Sequence, residues 1–413
     1  MAEEILADPR LEKIERQAED VIRTGLNAGN RYPEIWIRDL STFVDLALHV
    51  RSREEIRTAL LRFFYFQGED GGIVDGYALA DESKDPYSYI LSPEMPGYVA
   101  HKNTVEADQE SSLVIAIAKY LRVTGDESLL AEKTGNIEVS KRIELALEFL
   151  LKHRFSERHG LLWSGTTADW GDIQPEHSWG VELNEDSHPA ISIYTNAMFC
   201  LAVESLLALP GFPSGSKERW AATLVDFRQR IRAVLWDEKA MKFIPHVYLK
   251  GSPFPPDFDE SVLYFQGGTA VAANAGILTR AEVLASYQRM SRNREESRAR
   301  SIGVSIWPPY PAGLFQSPSM GPGSYQNGGD WTWFGGRMVH ALVRYDFGFQ
   351  AWEALSPMLD MVLDAGDFYE WHQTDGTPRG AYPYRGAAGV LWSAIQDIRT
   401  WSRKQAAESP LRA

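Results

Sequence analysis

The stretch AISIYTNAMFCLAVESLLALPGFPSGSKERWAATLVDFRQRIRAVL, residues 190–235, shows the pattern that decides the fold. Apolar residues recur in it at the three- and four-residue spacing of an α-helix, and Pro210-Gly211 interrupts the pattern. Proline cannot continue a helix, and glycine commonly follows a helix end. The stretch therefore predicts two helices, over 190–209 and 215–235, that are joined by a short turn.

The same periodicity continues along the chain of 413 residues and predicts about twelve helices and few strands. The other ten helices are expected near 10–27, 39–51, 53–67, 107–124, 137–153, 268–277, 279–293, 329–346, 348–366 and 386–407. The connectors after the even-numbered helices are mostly short. Those after the odd-numbered helices are long, at about 28–38, 68–106, 154–189, 236–267, 294–328 and 367–385. Loops longer than about a dozen residues are uncommon in compact domains and are usually functional.

Six helical hairpins, each with its long loop at the same end, predict an all-α fold, an (α/α)6 toroid whose long loops line one mouth. An open solenoid or an irregular helical array is the alternative. However, no repeat of about 30–50 residues is visible, and solenoids do not need such long irregular loops. No Pro- or Ser-rich linker divides the chain, so we expect one domain over residues 1–413.

Composition argues against several classes of partner. The net charge is −14, and no Lys/Arg cluster offers the basic face that binding to nucleic acid or to an anionic membrane requires. No signal-peptide pattern or membrane-length apolar stretch is visible, so we expect a cytoplasmic protein. The single cysteine, Cys200, lies in an apolar helical stretch and is expected to be a buried thiol. The zinc spacings and the phosphate-binding loops are absent, so no metal or cofactor is expected, and no oligomeric state is predicted.

Aromatic and carboxylate side chains are concentrated in the long loops. Tryptophan and tyrosine offer flat apolar area that suits a sugar ring, while carboxylates, amides and arginine hydrogen-bond its hydroxyls. The mouth therefore predicts a small carbohydrate substrate, although these aromatic residues could instead fill the central hole of the toroid. The residues that we expect to bind the sugar are Tyr32, Trp36, Arg38, Asp39, Lys102, Asn103, Gln109, Asp169, Trp170, Asn327, Trp331, Trp371, Tyr384 and Arg385. The same loops also contain Asp75, Tyr87, Glu106, Trp179 and Tyr325.

Hydrolysis of a glycosidic bond needs two carboxyl groups that face each other across the anomeric carbon. In the inverting reaction they stand roughly 6.5–9.5 Å apart, which leaves room for a water molecule. The third long loop offers Asp169 and Asp172 beside a tryptophan, and the last one offers Glu370 between aromatic residues. Such surroundings can desolvate a carboxyl and raise its pKa toward its task. Each of these residues could instead cap a helix or be a solvated loop charge.

Six short motifs occur in the order that is typical of a known group of enzymes. They are Trp36-Ile-Arg38-Asp39, Lys102-Asn103-Thr-Val-Glu-Ala-Asp108-Gln109, Trp170-Gly-Asp172, Asn327-Gly-Gly-Asp-Trp331, Phe368-Tyr369-Glu370-Trp371 and Leu391-Trp392-Ser393-Ala394. Over nearly its whole length the chain resembles the (α/α)6 inverting α-glycosidases around glycoside hydrolase family 63. That group includes the mannosylglycerate and glucosylglycerate hydrolases, and it is related to the amylo-α-1,6-glucosidase domain of glycogen debranching enzymes and to the trehalases.

The resemblance implies residue roles and a reaction. It implies that Asp172 is the general acid and Glu370 the general base, with Asp169 as the rival for the acid. It also implies that Trp36 and Asp39 hold the sugar in the −1 subsite. The expected activity is exo-acting, inverting hydrolysis of a small α-glucoside or α-mannoside, either an oligosaccharide or a glycosylglycerate-type compound.

Three alternatives use the same barrel. A sugar epimerase or isomerase would use loop histidines as acid and base, and a phosphorolytic enzyme would need a basic phosphate pocket near the mouth. A carbohydrate-binding barrel without activity is the third. The candidate histidines are His177, His188 and His372, and the candidate phosphate-binding residues are Lys102, Arg379 and Arg385.

Overall fold

The computed structural model describes residues 2–83, 89–178 and 181–408, so Tyr87 and Trp179 lie outside the described residues. The described chain is mainly helical. Its α-helices are α1 (Ala2–Leu6), α2 (Pro9–Arg23), α3 (Ile37–Val50), α4 (Arg53–Tyr65), α5 (Gln109–Thr124), α6 (Ser128–Ala131), α7 (Val139–His153), α8 (Ile193–Leu207), α9 (Ser214–Leu235), α10 (Gln266–Asn274), α11 (Arg280–Ser297), α12 (Thr332–Arg344), α13 (Gly348–Ala365) and α14 (Arg385–Glu408). Two 3-10 turns span Glu260–Val262 and Pro318–Met320.

The prediction of a mainly helical chain is confirmed, and each of the twelve predicted helices has a counterpart. The short helices α1 and α6 were not predicted. Helix α12 begins at Thr332, three residues later than expected, because the backbone of Asp330 pairs with that of His372 instead of entering the helix. Cys200 is fully buried in α8, as expected. Across the described part of the chain, each helix is either too short or too polar to span a bilayer.

Six helices contact one another in a closed cycle, in which α3 contacts α5, α5 contacts α8, α8 contacts α10, α10 contacts α12, α12 contacts α14, and α14 contacts α3. Helices α2, α4, α7, α9, α11 and α13 each pack against one or more members of this cycle. The helices of the cycle are also more deeply buried than the helices that pack against them, as α8 and α2 illustrate. Helix α8 is buried around most of its circumference, whereas α2 buries one stripe, which consists of Leu11, Ile14, Ala18, Val21 and Ile22.

The strands are short, and they lie almost entirely in the long connectors. They are β1 (Ile35–Trp36), β2 (Gly76–Leu79), β3 (Tyr98–His101), β4 (Lys133–Thr134), β5 (Ile137–Glu138), β6 (Phe155–Ser156), β7 (Leu161–Leu162), β8 (Ser164–Gly165), β9 (Pro189–Ile191), β10 (Trp236–Asp237), β11 (Lys242–Phe243), β12 (Val247–Tyr248), β13 (Tyr264–Phe265), β14 (Ile306–Trp307), β15 (Trp371–His372) and β16 (Pro378–Arg379). They pair antiparallel, with three-stranded sheets β1-β2-β3 and β12-β9-β8. Each long connector precedes a helix of the cycle, so the connectors converge on the N-terminal ends of these six helices.

Candidate active site

A cavity of about 230 Å³ lies at the N-terminal ends of α3, α5, α12 and α14. Its walls come from the long connectors and from the first turns of α3 and α12. The lining residues are Ala28, Tyr32, Trp36, Arg38, Asp39, Asp75, His101, Glu106, Trp170, Asp172, Val181, Tyr325, Gln326, Trp331, Trp333, Glu370 and Tyr384. Asp172 and Glu370, the expected general acid and general base, therefore line the same cavity. Seven of the expected sugar-binding residues line it with them, namely Tyr32, Trp36, Arg38, Asp39, Trp170, Trp331 and Tyr384.

Glu370 reaches the cavity from the connector between α13 and α14. Its Oε2 accepts a hydrogen bond of 2.8 Å from the backbone N–H of Ala381, and the Tyr32 hydroxyl lies 3.2 Å from Oε1 and 3.4 Å from Oε2. Burial raises the pKa of Glu370 to about 7, and the charges of Asp39 and Asp172 add to the rise. A carboxyl with this pKa exchanges its proton near neutral pH, which is the property that a general base requires.

Asp172 enters from the connector between α7 and α8, where the Gln326 amide holds it. The Gln326 Nε2 donates a hydrogen bond of 2.6 Å to Asp172 Oδ1, and the Asp172 backbone N–H donates one of 3.3 Å to Gln326 Oε1. Gly171 permits this approach, because a Cβ at that position would lie 2.5 Å from Gln326 Oε1 and 3.0 Å from the carbonyl oxygen of Ala168. The amide therefore fixes the orientation of the carboxyl toward the cavity.

Asp39 is a third carboxyl in the cavity wall, in the first turn of α3. Burial raises its pKa to about 6, although a hydrogen bond with Tyr384 and the charge of Arg38 act in the opposite direction. Its Oδ1 has no hydrogen-bond partner among the described residues. The Trp36 ring stands nearby in the same wall, edge-on to His101 with 4.6 Å between the ring centroids. A carboxylate oxygen with a free lone pair beside an indole matches the hydroxyls and the apolar face of a sugar.

Arg38 organises the remaining acidic side of the cavity. It donates hydrogen bonds of 2.9 and 3.0 Å to the two carboxylate oxygens of Asp108 and also pairs with Glu106. The Tyr194 hydroxyl donates a further hydrogen bond of 2.9 Å to Asp108. Asp75 adds another lining carboxyl, and burial raises its pKa to about 7. One buried guanidinium thus offsets part of the charge of an otherwise acidic wall.

Tryptophan rings form the apolar wall. Trp170 stacks on Phe334 with 4.4 Å between the ring centroids, and it meets Trp331 and Trp333 edge-on at 4.6 and 5.9 Å. Such aromatic clusters are rigid, because each ring has few rotatable bonds and several partners. Since Trp170 precedes the Gly171-Asp172 turn, the cluster also fixes the position of that turn.

Asp169, the rival candidate for the general acid, lies outside the cavity lining. Its backbone has a positive φ of 56°, and both carboxylate oxygens accept hydrogen bonds from the backbone N–H of Gly268, at 2.9 and 3.1 Å. Burial raises the pKa of Asp169 to about 8. The side chain therefore tethers the third long connector to the start of α10.

Five other expected sugar-binding residues are likewise not brought into the cavity lining. Each directs its side chain to a neighbouring segment: Lys102 to Glu110, Asn103 to the N–H groups of Val105 and Glu106, Gln109 to the carbonyl of Asn103, Asn327 to the backbones of Tyr310 and Met320, and Arg385 to Asn27 and Thr24. These hydrogen bonds hold the connectors that shape the cavity. None of the five is among the residues that line the inner cavity.

Trp371 lines a second, outer cavity of about 540 Å³ that adjoins the first. The two cavities share Tyr32, Tyr325 and Glu370. The outer one also contains two exposed arginines, Arg31 and Arg379. A ligand that extends from the inner cavity past Glu370 would therefore enter a cavity with two cations in its lining.

The cavity also contains side chains that were not predicted as site residues. Asp75, Glu106 and Tyr325 were noted as loop residues, but nothing in their spacing separated them from their neighbours. The other unpredicted side chains of note are His101, Gln326 and Trp333. In the described ranges, no three His, Cys, Asp or Glu side chains are grouped so that they could hold a metal ion.

Comparison with known proteins identifies the fold. No family model matches the chain, and no curated protein matches its sequence. Among solved structures, the GH63 mannosylglycerate hydrolase from Thermus thermophilus in complex with glucose is similar, with a TM-score of 0.64 and 17% identity over 92% of this chain and 99% of that one. A rhamnosidase from Klebsiella oxytoca with rhamnose bound gives a TM-score of 0.63 at 15% identity, over 94% of this chain and 64% of that one.

An uncharacterized conserved protein from Thermus thermophilus is similar as well, with a TM-score of 0.62 and 15% identity over 92% of this chain and 99% of that one. The chain thus has the fold of helical glycosidases. The resemblance to glycoside hydrolase family 63 is confirmed at the level of fold.

Proposed function

We propose that the protein is a glycoside hydrolase that cleaves a small α-linked sugar with inversion at the anomeric carbon. The observation that carries this proposal is that Asp172 and Glu370, which lie far apart in the sequence, line one cavity that is otherwise built from tryptophan, tyrosine and carboxylate side chains. The fold shared with glycosidases supports the same class of reaction, as a likeness of architecture.

The (α/α)6 toroid is part of this proposal. The closed contact cycle supports an inner layer of six helices, with α2, α4, α7, α9, α11 and α13 as the outer layer. In such a ring, connectors at one end of the inner helices meet around the axis. That arrangement holds carboxyl groups from distant connectors on different walls of one cavity.

In the proposed reaction, Asp172 and Glu370 act from opposite faces of the sugar ring. Asp172 gives its proton to the glycosidic oxygen as the bond to the anomeric carbon breaks. Glu370 takes a proton from a water molecule whose oxygen bonds to that carbon from the other face. The products are the free alcohol and a sugar of inverted configuration, and proton exchange with solvent restores both carboxyl groups.

The residues around the two carboxyl groups have binding roles in this scheme. Trp36 provides a flat wall for the ring, and the unpartnered Oδ1 of Asp39 accepts a hydrogen bond from a hydroxyl. Tyr32 donates to Glu370 and so stabilises the ionised base. Gln326 orients Asp172 so that its proton points toward the glycosidic oxygen.

Two observations favour Asp172 over Asp169 as the acid. Asp172 lines the cavity, whereas Asp169 does not. In addition, both oxygens of Asp169 already accept hydrogen bonds from the backbone of Gly268. Geometry comes before pKa in choosing a proton donor, so the raised pKa of Asp169 does not offset its position.

The size of the inner cavity favours one sugar unit and therefore exo-action. The alcohol part of the substrate would extend into the outer cavity, where Arg31 and Arg379 suit an anionic group such as a glycerate carboxylate. One solved structure of the Thermus mannosylglycerate hydrolase contains Tris and D-glycerate. A glycosylglycerate-type substrate is therefore our first choice to assay, followed by α-linked glucose and mannose oligosaccharides.

The alternatives have less support. An epimerase would use histidines as an acid and base pair at the sugar. His101 lines the cavity, but the candidates His177, His188 and His372 do not, so no second histidine of the described residues is there to form the pair. A phosphorolytic enzyme would need free cations there, but Lys102 pairs with Glu110, and Arg385 hydrogen-bonds to Asn27 and Thr24. The third candidate, Arg379, lines the outer cavity and not the inner one.

The test is the activity of Asp172→Asn and Glu370→Gln on a panel of α-glucosides and α-mannosides, with and without added phosphate. We expect each variant to lose at least about a thousandfold in kcat, because each step then lacks its proton donor or acceptor. Asp367→Asn is the matched control, since Asp367 lies on the same connector as Glu370 but outside the cavity lining. Turnover like that of the wild type in either catalytic variant would refute the assignment.

Proton NMR of the first sugar product tests the stereochemistry. We expect the β-anomer to form first from an α-linked substrate. An α-anomer formed first would contradict inversion, and a sugar phosphate formed when phosphate is added would favour phosphorolysis.

A further inference from the structure

The ring of six helices encloses a second chamber, which is separate from the candidate active site. It measures about 370 Å³, and all six helices of the contact cycle contribute to its wall. Its residues lie a turn or more beyond the N-terminus of each helix, whereas the active-site cavity lies at and before those N-termini. We call it the axial chamber. Part of its rim is open to solvent, since Arg122 and Arg344 have 67% and 47% of their side chains exposed.

The axial chamber is rich in cations, although the chain has a net charge of −14. Lys119 and Arg122 share a single carboxylate, Asp45, at N–O distances of 3.7 and 2.7 Å. Lys119 also lies close enough to Arg122 and Arg337 for their charges to lower its pKa, with burial as the larger cause. One carboxylate between two cations leaves positive charge uncompensated on this side of the chamber.

Arg337 is the most unusual of these cations. Its guanidinium lies over the rings of Trp333 and Phe334, 4.7 and 4.8 Å from their centroids, and its Nη1 lies 3.9 Å from the sulfur of Met198. Among the described residues, no carboxylate is within ion-pair distance of it. A guanidinium in a partly buried chamber without an anionic partner is costly unless something else neutralises it.

The other charged groups of the wall are already paired. His340 lies 2.6 Å from a carboxylate oxygen of Asp397, and Arg344 lies 3.0 Å from one of Glu204. The Ser393 hydroxyl, by contrast, is buried and has no hydrogen-bond partner among the described residues. The chamber therefore combines an unpaired guanidinium, a shared ammonium and an unsatisfied hydroxyl, which come from three different helices.

We propose that the axial chamber binds a small molecule through a phosphate group, with Arg337, Lys119 and Ser393 as its contacts. A phosphate presents three oxygens in different directions and two negative charges, which suits donors that converge from α5, α12 and α14. A planar carboxylate would engage fewer of them. The volume exceeds that of the active-site cavity and leaves room for a small organic group on the phosphate.

The position of the site indicates an effector rather than a substrate. Trp333 lines the active-site cavity, and the Arg337 guanidinium of the axial chamber lies over its ring. One tryptophan therefore contacts both sites. The charge of Arg337 also contributes to the pKa of Asp39 in the active-site cavity. A bound phosphate would offset that charge and so act on the active site without entering it.

The test is isothermal titration of the full chain with sodium phosphate, against sodium chloride at matched ionic strength. We expect binding that Arg337→Gln weakens at least tenfold and Ser393→Ala weakens about threefold. Arg232→Gln, an arginine paired with Glu282 away from the chamber, should leave the affinity unchanged. Glu370→Gln should also bind phosphate like the wild type, because the proposed site does not involve the active-site cavity.

A second arm of the experiment identifies the source of the phosphate. Glycerol 3-phosphate that binds more tightly than inorganic phosphate would assign an organic phosphate, and equal affinity would assign the free ion. Either result supports the site. The proposal is refuted if the heats of titration with phosphate equal those with chloride. It is also refuted if a folded Arg337→Gln variant binds phosphate as tightly as the wild type, or if Glu370→Gln no longer binds it. Should Arg337→Gln not fold, Ser393→Ala and Lys119→Met provide the same comparison.

Discussion

The two cavities that border the cycle of six contacting helices differ in their chemistry. At the N-terminal end, the long connectors supply Asp75, Asp172 and Glu370 to a narrow cavity, and the first turn of α3 adds Asp39. In the axial chamber, side chains from the helices themselves supply the charges, and these are mostly basic. Residues of the long connectors therefore form most of the candidate active site, whereas helix residues form the axial chamber.

The carboxyl groups at the two ends differ in the direction of their pKa shifts. Burial raises the pKa of Glu370 to about 7 and that of Asp39 to about 6. Burial also acts on Asp45 in the axial chamber, but there the charges of Lys119 and Arg122 outweigh it and lower the pKa. The ionised forms of Glu370 and Asp39 are thus held at a cost to folding, which is common at functional sites, whereas ionised Asp45 stabilises the packing of α3 against α5.

The largest effect is expected where a connector must approach a carboxyl closely. Gly380 has a φ of +78°, and a Cβ there would lie 2.6 Å from the Cβ of Glu370. Gly380→Ala should displace the base and lower kcat at least about a hundredfold, because small misplacements of a catalytic group are costly. Steady-state kinetics measures the loss.

Gly366 provides the matched control for this substitution. Its φ is +77°, but a Cβ there meets nothing within 4 Å. Gly366→Ala should therefore share only the backbone strain of a positive φ, about 1 kcal/mol, with little change in kcat. If both alanine variants lose activity equally, backbone strain and not the position of Glu370 explains the result.

The opposite pKa shifts at the two ends predict opposite changes in stability at pH 8. The buried Glu370 has a folded-state pKa above its ordinary value of 4.5, so the stability it contributes is present below pH 4.5 and is lost as pH rises through about 7. Glu370→Gln should therefore be about 3 kcal/mol more stable than the wild type at pH 8 and equal to it at pH 4. Urea unfolding at the two pH values measures the difference.

Asp45→Asn should behave in the reverse way. The lowered pKa of Asp45 means that its contribution is present above the ordinary value of 3.8 and is lost on acidification. We expect a loss of about 1 kcal/mol at pH 8, limited by solvent because Arg122 is mostly exposed. If Glu370→Gln and Asp45→Asn changed the free energy of unfolding in the same direction and by the same amount at pH 8, the opposite pKa shifts of the two carboxyl groups would be contradicted.

The helical architecture could be predicted because helices leave a periodic record in the sequence. Long helices such as α9 repeat their apolar spacing over several turns. Helix α6 has only four residues and shows no such repeat. The two-residue strands were missed for a related reason. Pairs such as Tyr264–Phe265 with Ile306–Trp307 depend on tertiary contacts between distant segments, which local pattern does not record.

The site could be predicted to the level of the connector but not of the side chain. Gln326 and Asn327 are neighbours in one turn, yet Gln326 binds Asp172 whereas Asn327 hydrogen-bonds to backbone behind the wall. From the sequence we expected Asn327, and not Gln326, to be a site residue. Asn103 carried a usable signal, because asparagine often binds the backbone N–H two residues ahead, as it does here with Val105. Which side of a turn faces the cavity depends on contacts between connectors.

The smallest expected effect concerns the hydroxyl that supports the base. Tyr32 lies 3.2 Å from Glu370 Oε1, and its hydrogen bond favours the ionised carboxylate. Tyr32→Phe should therefore raise the pKa of Glu370 above about 7, and the acidic limb of the kcat/KM profile should move up by about half to one pH unit. Tyr325→Phe removes a hydroxyl from the same cavity without a hydrogen bond to Glu370, so it should leave the limb in place. If neither substitution moves the limb, the limb belongs to another carboxyl, and Asp39 with its pKa of about 6 becomes the residue to test.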